Sequence, residues 1–470
     1  MSCGSQIPLN SSNSSKRLAR FGHYMRQHQS LIRNIQWLLV GFYILLVAIP
    51  AFLPLPAYSE HIWNNLTLLA QFLFWGIWWP FVLLSMVFMG RMWCGVFCPE
   101  GTITEFASKH GLKRAIPRWV RWGGWPFVAF IGTTVYGQMV SVYQYPKATL
   151  LILGGSTAGA IVVGYLYGKE KRVWCRYLCP VNGVFGLLAK LAPVHYLTDR
   201  NIWSEKRSEA NRITMVNCPT LLPLSKLESA SDCHMCGRCS GHNDAITLTA
   251  RKLGSEIYTS TSKTATLGEF LLITFGMGGV AVGAFHWSAS PWFIMIKQQL
   301  ASWLVNHDAL WVLQTSTPWW IFTNYQEQND VFNLLDGSLL LAYIAVTGLV
   351  LGTIQSVFFG LANRTLGHWS VQRLYHLSYS LIPIVGCGIF LGLSSLTISF
   401  MRTEHLYLAW GSPLRASFLA CATAWSAYLL HKLVSRYTDS IRRHSLCLLF
   451  GLIGIGSISY AWYLLFWGWH

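Results

Sequence analysis

Apolar residues fall in unbroken stretches of membrane-crossing length, separated by short polar loops, along most of the chain. A hydrocarbon core about 30 Å thick takes about 20 residues of α-helix, because every backbone N–H and C=O must be satisfied within the segment. Nine stretches meet that length: 34–54, 67–90, 122–142, 148–168, 267–288, 334–360, 374–399, 413–434 and 446–468. The fourth is the weakest. Its small residues, Gly154, Gly155, Ser156, Ala158 and Gly159, favour close helix contact over lipid exposure. The pattern predicts an all-α polytopic membrane protein of about nine transmembrane helices, with a polar insert between the fourth and the fifth.

Composition agrees with this class. The 470 residues are 53% hydrophobic and only 11% charged, too apolar for a soluble chain of this length. The net charge of +17 would suit a nucleic-acid partner, but its placement has another cause. With the N-terminus in the cytoplasm, only Lys147, Lys297, Arg402 and Arg415 of the 35 Lys and Arg fall outside. That split follows the positive-inside rule, so the charge is topological and no nucleic acid is expected. The layout puts the protein in the bacterial cytoplasmic (inner) membrane, with its C-terminus in the periplasm. No secretory signal is read: Lys16, Arg17, Arg20, Arg26 and Arg33 precede a full-length span that is retained. Residues 1–15, rich in Ser and Asn, read as a disordered tail. The expected organisation is a cytoplasmic tail (1–33), a four-helix membrane unit (34–197), a cytoplasmic segment (198–266) and a five-helix unit (267–470). The external loop 289–333 carries Trp292, Trp303, Trp311, Trp319 and Trp320, which suits interfacial helices.

Twelve cysteines in an inward-facing membrane protein do not suggest a disulfide framework. Cys3, Cys387, Cys421 and Cys447 are scattered, and the last three read as membrane-buried fillers. The strongest motif is Cys233-His-Met-Cys236-Gly-Arg-Cys239 with Cys218-Pro219 upstream. C-x2-C-x2-C is the tripod of a ferredoxin cluster, and its fourth ligand is a Cys-Pro from elsewhere. Gly237 would let the backbone pass close to the inorganic sulfides. A second ferredoxin cluster would need cysteines at 208, 211, 214 and 243, where Ser208, Asn211, Thr214 and Asn243 stand. One [4Fe–4S] cluster at Cys218, Cys233, Cys236 and Cys239 is therefore expected in a ferredoxin-like insert (198–266). A structural zinc on the same four thiols is the plainer alternative.

An internal repeat supplies the other four cysteines. Arg91-Met-Trp93-Cys94-Gly-Val-Phe97-Cys98-Pro99 matches Arg172-Val-Trp174-Cys175-Arg-Tyr-Leu178-Cys179-Pro180 at a constant offset of 81 residues. Each copy follows an even-numbered span, so spans 1–2 and 3–4 read as parallel repeats of one hairpin. Proline at the first position of a following helix would leave Cys98 and Cys179 near its N-cap. There the helix dipole and Arg91, Arg172 or Arg176 would favour thiolate. If the hairpins pack about their axis, Cys94, Cys98, Cys175 and Cys179 converge and form a second iron–sulfur or other metal centre, or a dithiol relay. A structural turn with inert cysteines is the bland alternative.

Paired C-x3-C-P motifs after membrane hairpins, followed by a ferredoxin-like segment, resemble the membrane polyferredoxin family. Its members include the quinol-oxidising component of periplasmic nitrate reductase, the membrane half of the nitrous-oxide-reductase maturation flavoprotein, a copper-reducing oxidase-assembly factor and the polyferredoxin of ferrous-iron uptake systems. The resemblance covers roughly residues 34–250 and departs from the two-cluster ferredoxin pattern. It implies an electron-transfer component working between a cytoplasmic donor or quinol and a membrane or periplasmic acceptor, in support of iron or copper reduction or metalloenzyme maturation. In the C-terminal half, His286, His376 and His431 lie in or at the ends of spans. They read as interfacial residues, with a quinone contact or b-type haem ligand as the weaker alternative at His376. The competing functional class is a metal transporter or chaperone with a structural or regulatory cluster. A transporter needs acidic or thiol groups through the midplane, whereas Glu269 and Asp336 sit near span ends.

Overall fold

The computed structural model describes residues 13–57, 59–209, 216–315 and 317–469. Cys3, most of the expected disordered tail, and Asn211 and Thr214 lie outside them. Among the described residues, seven helices are long and apolar enough to cross a membrane. They are α2 (Gln29–Phe52), α3 (Leu66–Met89), α6 (Pro146–Leu166), α8 (Leu267–His286), α9 (Leu334–Thr365), α10 (Val371–Thr403) and α12 (Ile441–Gly468). The protein is an all-α polytopic membrane protein.

The other two expected spans are also helical. α5 (Trp125–Met139) is 15 residues long, short for a crossing. It nevertheless runs the length of α8. The Gly123 carbonyl lies against Gly268 at one end, and Trp287, just past the other end of α8, donates its Nε1 to Gln138 Oε1 (3.0 Å). α11 (Gly411–Val434) carries Arg415 and Lys432 near its two ends, which lowers its hydropathy. It lies antiparallel to α12: Trp467 Nε1 donates to Ser412 Oγ (2.9 Å), and His444 meets His431 (2.9 Å) at the far end.

Two amphipathic helices lie outside the spans, α1 (Asn13–Gln27) and α4 (Pro99–His110). α7 (Asn182–Ala189) follows the second cysteine repeat. The insert is built on β1 (Val194–Thr198) and β2 (Ile246–Ala250), antiparallel with Val194 opposite Ala250 and Thr198 opposite Ile246. Tyr196, Leu227, Met235, Ile246 and Leu248 form its small core with Cys233 and Cys239. α1 lies across β2, so residues 13–27 are part of this unit rather than a free tail.

A larger core joins the two membrane halves, from Val82 and Met86 through Phe185 and Leu188 to Leu381 and Trp462. A polar link reinforces it: Lys190 Nζ reaches Glu269 (3.3 Å), which also accepts from Tyr379 Oη (2.8 Å). Trp292, Trp303, Trp311 and Trp320 are exposed in the loop before α9, as interfacial side chains would be.

Candidate metal centre

The insert folds so that Cys218, Cys233, Cys236 and Cys239 line one small cavity, walled otherwise by residues such as Tyr196, Leu222, Leu224 and Leu227. Left-handed backbone at Met235 (φ 53°) and Gly237 (φ 78°) tightens the loop, and Met235 N donates to Cys233 Sγ (3.4 Å). Gly237 has a second reason to lack a side chain, because a Cβ there would lie 2.6 Å from Met25 Cβ of α1. Burial, then the neighbouring Cys236 and Cys218, pushes the Cys233 thiol up to about 12. Burial and the other three cysteines push Cys239 up as well.

The two C-x3-C-P motifs share their backbone geometry. Cys98 N donates to the Trp93 carbonyl and Cys179 N to the Trp174 carbonyl, each at 2.9 Å. The first copy sits on a π-helical turn, Trp93–Phe97, and Pro99 opens α4 with Cys98 as its N-cap. The second copy departs from expectation. Pro180 sits in a turn and α7 starts only at Asn182, so Cys179 is not a helix cap.

The copies interlock through their equivalent arginines, both buried. Arg172 Nη1 donates to the Cys94 carbonyl (2.6 Å), while Arg91 Nη2 donates to Asn182 Oδ1 (2.8 Å) and lies 3.8 Å from Cys94 Sγ. The two pairs are electrostatic neighbours: Cys175 and Cys94 both raise the Cys98 thiol, and Cys175 and Cys98 raise the Cys179 thiol. The expected thiolate activation is reversed for the free thiols. Burial outweighs Arg172 and pushes Cys175 up to about 12, and it raises Cys98 and Cys179 well above the ordinary thiol value. Every described cysteine is a free thiol.

The two sets of four are in direct contact. A Cβ on Gly95 would lie 2.0 Å from the His234 carbonyl oxygen and 2.9 Å from Cys236 N, so the ferredoxin-type loop rests on the backbone beside Cys94. Cations surround the junction. Arg172 N donates to the Pro219 carbonyl (2.7 Å), Lys171 Nζ to the Cys218 carbonyl (2.9 Å), and Arg176 pairs with Asp232 (2.6 Å). Glu105 of α4 ties the sets together by accepting from Arg172 (2.9 Å) and Arg238 (2.7 Å). Burial opposes its charge, but these two guanidiniums hold its carboxyl below the usual carboxylate range. Glu105 and His234 escaped sequence reasoning, since their partners lie far away in the chain. Only the repeat-related arginines gave a signal beforehand.

The donor set fits an iron–sulfur centre. Arg91 and Arg172, which reach Cys94, each keep a buried donor without a protein acceptor, Arg91 Nε and Arg172 Nη2. Orphaned donors beside Cys94 call for an anionic acceptor. Among the described residues no three His, Cys, Asp or Glu side chains cluster tightly enough to hold one metal ion. The histidines of the C-terminal half lie elsewhere. His376 spends both nitrogens on protein, Nδ1 on Tyr437 Oη (2.6 Å) and Nε2 on the Ile257 carbonyl (2.7 Å), which leaves none for a haem iron.

Comparison with known proteins falls on this region. The 4Fe-4S binding domain family matches residues 71–118 and again 150–198, one match on each C-x3-C-P hairpin, and both end before Cys218. YccM of Escherichia coli (strain K12), named for a proposed role in electron transport, is 23% identical over 184 residues, which is 34% of this chain and 50% of that protein. Regulatory protein NosR of Pseudomonas aeruginosa is 25% identical over 34% of this chain and 25% of its own length. Protein NirI of Paracoccus denitrificans is 26% identical over 34% of this chain and 26% of its own. The chain thus spans half or less of these relatives. No solved structure matches it. Through the paired hairpins of residues 71–198, this multi-pass membrane chain resembles the 4Fe–4S binding domain family and these three relatives.

Proposed function

We propose that the chain holds two iron–sulfur centres side by side, one on Cys94, Cys98, Cys175 and Cys179 and one on Cys218, Cys233, Cys236 and Cys239. In this reading it carries electrons between a cytoplasmic donor or the quinol pool and a membrane or periplasmic acceptor, in a bacterial inner membrane with its N-terminus inside. The observation that carries the reading is the Gly95 contact, which brings the two cysteine sets together with no side chain between their backbones. A bound [4Fe–4S] cluster supplies a one-electron redox centre.

The residues of the chain do the rest. Arg91, Arg172, Arg176 and Lys171 offset the negative charge that four thiolates bring to a buried site. Apolar walls and α1 keep water from the Cys218, Cys233, Cys236 and Cys239 cavity. Support for iron or copper reduction, or for maturation of a metalloenzyme, is the use that the family resemblance suggests. A transporter or chaperone is less well supported. Asp336 and Glu269, the acids of the spans, are tied to Lys297 (2.6 Å) and Lys190 (3.3 Å) near the span ends.

The test is EPR of the full chain, purified anaerobically in detergent and reduced. Cys236→Ser should remove one of two signals, whereas Ser208→Ala and Asn211→Ala should keep both. A full pair of signals in Cys236→Ser would remove the centre at the ferredoxin-type loop.

A further inference from the structure

His431 and His444 belong to neither cysteine set. α11 runs to Val434 and α12 begins at Ile441, so the two histidines sit about one turn from the connection between these helices. His444 Nε2 and His431 Nδ1 are 2.9 Å apart, with ring centroids 4.8 Å apart and planes at 69°. Those distances separate two arrangements. Nitrogens aimed straight at one another across 2.9 Å put the centroids about 5.2 Å apart, since each lies about 1.15 Å from its ring centre. Nitrogens held at 90° on one metal ion, with bonds of about 2.0–2.1 Å, stand about 2.9 Å apart and their centroids about 4.5 Å. The observed 4.8 Å falls between the two, so the rings already bend toward a common point. A tetrahedral ion would need the nitrogens about 3.3 Å apart.

The surroundings leave that point open to a cation. His431 is exposed and lies in the last turn of α11, where the carbonyl end of the helix favours positive charge. Lys432 turns back over the Tyr428 ring (5.6 Å), and Arg436 reaches the Ser260 carbonyl (2.9 Å), so both are drawn elsewhere. Arg442 and Arg443 are exposed, where water and salt screen them.

We propose that His431 Nδ1 and His444 Nε2 ligate one divalent transition-metal ion in square-planar or octahedral coordination, with water at its open positions. Imidazole nitrogens are ligands of this class, and the near-right-angle spacing suits Ni²⁺ or Cu²⁺ better than tetrahedral Zn²⁺. Ligation needs both lone pairs, so the hydrogen between the rings shifts to the far nitrogen of its own imidazole, and no net proton is lost. Among the described residues no third His, Cys, Asp or Glu joins the pair. The ion staples α11 to α12 beside the turn where Arg436 holds the insert at Ser260. The site is independent of the iron–sulfur reading.

The experiment is calorimetric titration of Ni²⁺ into the full, iron-replete chain, without a polyhistidine tag, under anaerobic conditions in detergent. The native chain should show one saturable site that His431→Gln and His444→Gln each weaken by at least about tenfold, the gain from holding two ligands together. Glutamine keeps a hydrogen-bonding group, so this loss separates ligation from a plain histidine–histidine hydrogen bond. Ni²⁺ should also raise the thermal midpoint of the native chain and not of the variants. Should a variant fail to fold, X-ray absorption of the Ni²⁺-loaded native chain decides the matter alone, with two imidazole ligands expected on the ion. No saturable binding, equal affinity in the glutamine variants, or fewer than two imidazoles on the ion overturns the site. Binding that leaves the native thermal midpoint unmoved overturns the staple.

Discussion

Gly95 is the smallest residue at the junction and the least replaceable. A Cβ there would sit 2.0 Å from the His234 carbonyl oxygen, a backbone atom that cannot swing aside. Overpacking of this kind costs about 1–3 kcal/mol, and here the strain falls on the contact between the cysteine sets. Gly95→Ala should lower the thermal midpoint and loosen the loop, read as faster iron loss to a chelator. Gly41→Ala in α2, where nothing lies within 4 Å, should do neither. Equal behaviour of the two variants would show that the contact does not hold the loop. The cysteines were legible from spacing alone, because ligand spacing is local. Gly95 was not, since its partner lies about 140 residues along the chain and a glycine between two cysteines looks like an ordinary turn residue.

α1 shows what charge patterning hides at the level of an element. Its basic residues mark the inner side of the membrane, and for that reason the segment reads as a tail. In the structure Arg26 donates to the Ser240 carbonyl (2.8 Å), and Gln29, just past its end, donates to the Cys236 carbonyl (3.0 Å). His23 and Met25 fill the spaces that Gly241 and Gly237 leave open. The helix therefore lids the loop of Cys233, Cys236 and Cys239. Arg26→Ala with Gln29→Ala removes two side-chain hydrogen bonds, about 1 kcal/mol each, enough for several-fold more frequent local opening. The visible absorbance of the loop's centre should bleach several-fold faster in air than in the native chain, with initial iron content unchanged. Identical bleaching would mean that α1 is not a barrier. The second C-x3-C-P copy teaches the reverse lesson. Pro180 announced a helix that starts only at Asn182, although Cys179 N makes the same backbone bond as Cys98 N does in the first copy, where the helix starts at the proline.

Across the whole molecule, hydrophobic length located the spans well, since the bilayer imposes one length on every crossing. Seven of the nine expected segments are long and apolar enough, and the two that fall short, α5 and α11, still run beside full-length neighbours. Their shortfall has a physical reason. α5 leans on α8 rather than on lipid alone, and α11 carries charges at its ends. The docking of the C-terminal helices on the cysteine-bearing half was invisible in the sequence, because Lys190, Glu269 and Tyr379 meet only in three dimensions. What the fold accomplishes is the convergence of two hairpins and one insert on a common site. The most direct measurement of that claim is iron and acid-labile sulfide per chain in anaerobically purified protein. The native chain should carry about eight of each, and Cys94→Ser with Cys175→Ser, or Cys233→Ser with Cys236→Ser, about four. A native content of about four, unaffected by loss of Cys94 and Cys175, would contradict the paired site.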